Sequence, residues 1–203
     1  SATATTATYT NNQRVSNISS VSGDEVILYA VWNKLSYTLT LTNSTGGTVS
    51  ANVASPVPYN TQVVLTPAPA TGYHFVNYTG DKTTGTFKMP ASNVSVKANF
   101  SPNTFRFTFD KNASDATGSM SQSEVFTYGT AKTLPANGFK RAGYVFAGWA
   151  TSNSGSVVYG DKASITASNA PSKVQTSTGT TELSITLYAK WGFGTYTVTF
   201  NVN

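Results

Sequence analysis

Residues 185–191 read ITLYAKW, and their reading decides the fold. Ile185, Leu187, Ala189 and Trp191 alternate with Thr186, Tyr188 and Lys190, the period-2 pattern of a strand with one buried face. The same column recurs in VSVKANF (94–100), as Val94, Val96, Ala98 and Phe100, and in VILYAVW (26–32), as Val26, Leu28, Ala30 and Trp32. Three strand beginnings repeat as well: YTLTLT (37–42), FRFTFD (105–110) and YTVTFN (196–201). Beginnings and endings shift together along the chain, as tandem units with loop insertions require.

Within the units, PYNTQVVLTP (58–67) lies over FTYGTAKTLP (126–135), so that Asn60 and Gly129 share a position. These two residue types best tolerate a left-handed backbone, which predicts a tight turn followed by a short strand. PANGFKRAG (135–143) has room for a helical turn, but its proline and glycines argue against a longer helix. The predicted layout is the C-terminal part of a repeat (1–33), one complete unit (34–101), a larger complete unit (102–192), and a first strand of a further repeat (193–203). Short linkers between them favour an elongated row of domains.

GYVFAGW (143–149) and GYHFVNY (72–78) are corresponding aromatic stretches. Strict alternation puts Tyr144, Phe146 and Gly148 on one face and Val145, Ala147 and Trp149 on the other. The sibling then sets Tyr73, Phe75 and Asn77 against His74, Val76 and Tyr78. Trp149 and Tyr78 are therefore candidate platforms for a sugar ring or a peptide. The competing reading makes these rings internal pillars, which a small domain without disulfides needs. The core reading is favoured for Trp149, and more strongly for Trp32 and Trp191 at the ends of their columns.

The composition bounds the rest. Of 203 residues only 10% are charged, and serine, threonine and asparagine supply the polar surface. Such a chain is poor in helix formers and suits a mainly β protein. It has no cysteine, which excludes disulfides and thiolate metal sites. Its net charge is +5, but the basic residues are scattered from Arg14 to Lys190, unlike the clustered face of a nucleic-acid reader. No apolar run approaches the roughly 18 residues that span a bilayer. The chain begins at Ser1 without a charged-then-apolar leader, and reads as a processed product or an excerpt.

Candidate chemistry is sparse. His74 is the single histidine, so a Ser–His–acid triad is conceivable only around it. DKNASDATG (110–118) offers Asp110, Asn112 and Asp115 as oxygen donors for calcium, yet Asp115 stands where an EF-hand needs glycine and Ser121 where it needs glutamate. Asp161 and Glu182 lie in the larger unit, neither in an apolar run that would raise a carboxyl pKa. No catalytic residue, cofactor or metal ligand is assigned.

Over FTFDKN, GSMSQ, FTYGTAKTLPANGFKRAGYVFAGWAT, GSVVYGDKASIT and ITLYAKW, the larger unit resembles the Listeria–Bacteroides repeat, the B-repeat of listerial internalins. YTLTLTNSTGGTVS, VVLTPAPATGYHF and VSVKANF resemble its divergent bacterial relative, with Asn77 and Tyr78 replacing the Gly148–Trp149 pair. The resemblance implies tandem β-grasp-like modules in secreted or wall-attached bacterial proteins, acting as stalk, spacer or adhesive segment without catalysis. The expected partners are neighbouring repeats of the same polypeptide, other copies of itself, or a host or cell-surface glycan or protein. Two alternatives remain open. One is an extracellular filament in which the terminal strand, with Tyr196, Val198 and Phe200 on one face, pairs with another copy. The other is a carbohydrate-binding module using Trp149 or Tyr78.

Overall fold

The computed structural model describes residues 8–16, 23, 25–179, 181–195 and 198–200. The protein is mainly β, with several small sheets in tandem. The first unit carries β1 (Ser36–Tyr37), β2 (Leu39–Asn43), β3 (Gly47–Ala51), β4 (Val57–Pro58), β5 (Gln62–Pro69), β6 (Tyr73–Gly80), β7 (Thr86–Lys88) and β8 (Val94–Pro102). The second carries β9 (Thr104–Asp110), β10 (Phe126–Thr127), β11 (Lys132–Thr133), β12 (Tyr144–Ala150), β13 (Ser164–Ile165), a short helix α1 (Ser172–Thr176) and β14 (Leu183–Phe193).

Each unit is built on the strands that the repeats predicted. In the first, the order is β2-β8-β6; in the second, β10-β9-β14-β12. The first and last strands of a unit run parallel, Leu39 beside Val94 and Phe107 beside Ile185, and the aromatic strand closes the other side antiparallel. The central strand is thus hydrogen-bonded on both edges, and one of its faces packs in the core, which is why its inward column is apolar. Val96, Ala98, Leu187 and Ala189 are buried. Smaller antiparallel sheets, β3-β5-β7 and β11-β13, cover the apolar face. Val63 and Leu65 close one core, and Leu134, Ile165 and Val174 close the other. The turns fall as expected, with Asn60 at φ 64° and Gly129 at φ 82°.

Two expectations fail. VILYAVW forms no strand: Val26, Leu28, Tyr29 and Trp32 are exposed, Trp32 at 89%. Its column matches those of β8 and β14, but those strands are held by a parallel first strand and an aromatic partner, and no described segment plays either part for residues 25–35. An apolar column without a sheet has nothing to bury against. The second failure is the strict alternation in the aromatic strands. The register of β12 against β14 slips between Phe146 and Gly148, and that of β6 against β8 slips between Phe75 and Asn77. Ala147 and Val76 are the extra residues of equivalent β-bulges.

The bulge reverses the side-chain parity downstream of it. Trp149 therefore joins Phe146 on the inner face, with ring centroids 4.8 Å apart, and Tyr78 joins Phe75 at 4.7 Å. At Gly148, φ is 138°, and a Cβ there would lie 2.5 Å from Val157 Cγ1 and 2.6 Å from the Tyr159 carbonyl oxygen. Glycine is what lets the second unit's bulge press against the neighbouring segment.

Candidate functional site

The proposed aromatic platform is in fact two core pillars. Trp149 is completely enclosed, with its ring centroid 5.0 Å from that of Phe109 and 6.1 Å from that of Phe139. Tyr78 is 7% exposed and lies under Phe75, which in turn meets Phe100 at 5.8 Å. Neither ring face is available to a sugar. Burial raises the Tyr78 phenol above its ordinary pKa, and neither its hydroxyl nor Trp149 Nε1–H finds a protein acceptor. The large apolar side chains that reach solvent from these strands are Val76 and Val145. Trp191 is half-buried against the second core and donates Nε1–H to the Lys111 carbonyl at 2.9 Å.

The other candidate residues are occupied by structural partners. In the 110–118 loop, Asp110 Oδ1 accepts the Asn112 backbone N–H at 2.7 Å, Asn112 Nδ2 donates to the carbonyls of Asn153 and Ala189, and Asp115 accepts from Arg141 at 2.9 Å. The Arg141 hydrogen bond holds the Asp115 carboxyl below its usual range. The three side chains thus point to three different partners. Asp161 accepts the Asn137 N–H at 2.7 Å, and Glu182 pairs with Arg106 at 2.8 Å. His74 Nδ1 lies 2.9 Å from Asn103 Oδ1, an amide where a triad would need a carboxylate. Among the described residues, no group of three or more His, Cys, Asp or Glu side chains gathers at one point.

Two open grooves lie on the second unit. One, of about 480 Å³, runs past Ser121, Glu124, Phe126, Lys132 and Pro135. Lys132 sits there 2.7 Å from Glu124 and 5.5 Å over the Phe126 ring, and its ammonium lowers the Glu124 carboxyl pKa. The other, of about 580 Å³, is bordered by Thr151, Tyr159, Lys173, Ile185 and Tyr188. The Tyr159 hydroxyl already donates to the Asn169 carbonyl at 2.7 Å. Neither groove sets a nucleophile beside a base and an orienting group.

Of the terminal strand, Tyr196 lies outside the described residues. Val198 and Phe200 are 70% and 85% exposed and belong to no strand. Phe193, just before it, is stacked on Tyr144 with centroids 5.5 Å apart and is otherwise open to solvent. Neither the helix α1 nor the burial of Asn103 is legible in the sequence. The five-residue helix carries no amphipathic period, and Asn103 stood only as one residue of a short linker.

Among the described residues no helix is long and apolar enough to cross a membrane. No solved structure matches the chain. Residues 37–104 match the family model described as the divergent InlB B-repeat domain, and residues 105–171 match that of the Listeria-Bacteroides repeat domain. The second match stops before α1 and β14, although β14 is an interior strand of its sheet. Listeria-Bacteroides repeats are found in bacterial surface proteins. The chain therefore carries, one after the other, a divergent InlB B-repeat and a Listeria-Bacteroides repeat.

Proposed function

We propose that this segment is a non-catalytic stalk or adhesive spacer of an extracellular bacterial surface protein. The observation that carries the reading is how the chemically capable side chains are used. The aromatic residues at Trp149 and Tyr78 fill cores, the single histidine bonds an asparagine, and the acids singled out in the second repeat pair with arginine or backbone. A spacer needs folded units and a defined connection, and this is where those residues are spent. The test is mechanical. Stretching the chain between a surface and a probe should give two separate unfolding events, one per core, with contour gains that match residues 37–104 and 105–193. Extension without resistance would sink the reading. Adhesion is tested on the same protein by binding to whole bacteria and to host-type glycans.

Assembly through residues 193–203 is the second reading, supported by the exposure of Val198, Phe200 and Phe193. Sedimentation across a wide concentration range, with a version ending at Gly192 beside it, decides it: only growth that the shorter chain loses supports strand exchange.

A further inference from the structure

One residue carries much of the contact between the two repeats. Asn103 stands between β8 and β9, is 2% exposed, and uses every polar group it has. Its backbone N–H donates to the Gly72 carbonyl at 2.8 Å, and its carbonyl accepts the Tyr128 N–H at 2.9 Å. Its side-chain Nδ2 donates to the carbonyls of Val174 at 2.7 Å and Ser177 at 2.8 Å. With both amide hydrogens committed to carbonyls, Oδ1 is the atom that faces His74 Nδ1 at 2.9 Å, so Nδ1 carries the hydrogen. Gly72 and His74 belong to the first repeat, while Tyr128, Val174 and Ser177 belong to the second.

A second strand of contacts runs alongside. The Gly72 N–H donates to the Gln175 carbonyl at 2.8 Å. Tyr128 packs its ring directly on Gly72, where a Cβ would collide with it, and meets Tyr73 edge-on at 6.1 Å. The helical segment that supplies three of the acceptor carbonyls is itself fixed. Val174 is fully buried in the second core, the Gln175 amide donates to the Ala170 carbonyl, and the Tyr159 hydroxyl holds Asn169. Residues 172–179 lie beyond the end of the family match at 171, and the first repeat has no counterpart of α1.

We infer that residues 169–179 are a clasp whose partner is the Gly72–Tyr73–His74 corner of the preceding repeat, locked by Asn103 so that the two repeats move as one body. The hinge position is selective. At the matching place after the second repeat stands Gly194, whose N–H bonds Gly143 as Asn103 bonds Gly72, but which has no side chain to clasp, and Val145 replaces His74. The lock therefore belongs to this junction. It holds whether or not the segment serves as a spacer.

The cysteine-free chain allows a direct test. Thr83→Cys and Ser154→Cys, both exposed, take one spin label in each repeat, and pulsed dipolar spectroscopy reads the distance between them. The otherwise unchanged chain should give one narrow distance. Asn103→Ala, and separately the replacement of 172–178 by a Gly/Ser loop, should each broaden it, while NMR shifts around Trp149 and Val96 stay in place for Asn103→Ala. Asn103→Asp keeps the shape but turns an acceptor toward two carbonyls, and should broaden the distribution as well. A broad distance in the starting chain would overturn the inference. So would a distance left narrow by both Asn103 substitutions.

Discussion

Trp149 touches Phe109, Phe139 and Phe146 within a site closed to solvent, so its removal leaves a hole that several rings would have to fill. Trp149→Ala should cost about 3–5 kcal/mol in denaturant unfolding of the second repeat. A loss below about 1 kcal/mol would mean that the core collapses around the gap. Trp32 is the opposite case, being 89% exposed. Trp32→Ala should change stability by less than about 0.5 kcal/mol, and its fluorescence should be quenched by iodide while that of Trp149 is protected. Tyr159 adds a pH test. Burial raises its phenol above the ordinary value, so the neutral form favours folding. That contribution is complete below the unfolded tyrosine pKa of about 10 and is lost as pH rises through the higher folded value. Thermal melts should therefore weaken on the alkaline side, and Tyr159→Phe should flatten that slope.

At the level of the element, the aromatic strands show which part of the pattern was legible. The first and last strands of each repeat followed from their recurring columns, because a strand with one buried face shows it plainly in sequence, whereas their parallel pairing is set only by the fold. The face occupied by Trp149 and Tyr78 did not follow. One extra residue in β12 or β6 inverts everything after it, and the slip between Phe146 and Gly148 leaves no composition signal beyond one glycine. Gly148→Ala is therefore expected to destabilise the second repeat by about 2 kcal/mol or more, from the unfavourable φ and the contact with the Tyr159 carbonyl. Gly160→Ala, where no atom lies within 4 Å of an added Cβ, is the control and should stay within about 0.5 kcal/mol. Equal losses at the two glycines would remove the bulge from the explanation.

Across the whole molecule, charge contributes at the surface. Asp115 with Arg141 and Glu124 with Lys132 are ion pairs whose carboxyls are held below their usual range. Their stabilisation is present above the ordinary carboxylate pKa and fades as pH falls through the lowered folded values. Both acids are exposed, so salt should weaken the pairs. Acid titration in low and high salt is expected to show a steeper loss of melting temperature in low salt, and Asp115→Asn should reduce that difference. A salt-independent profile would show that other carboxyls govern the acid limb.

The sequence by itself determined the tandem repeats, the mainly β character, the turns at Asn60 and Gly129, and the absence of thiolate chemistry, because each rests on local residue type or on period-2 repetition. Only the tertiary structure decided that VILYAVW stays outside any sheet, that Trp149 and Tyr78 face inward, and that Asn103 ties one repeat to the next. The physical reason is the same in all three. A strand needs neighbours, a bulge shifts the register against a partner, and a buried amide is satisfied by carbonyls more than seventy residues away along the chain.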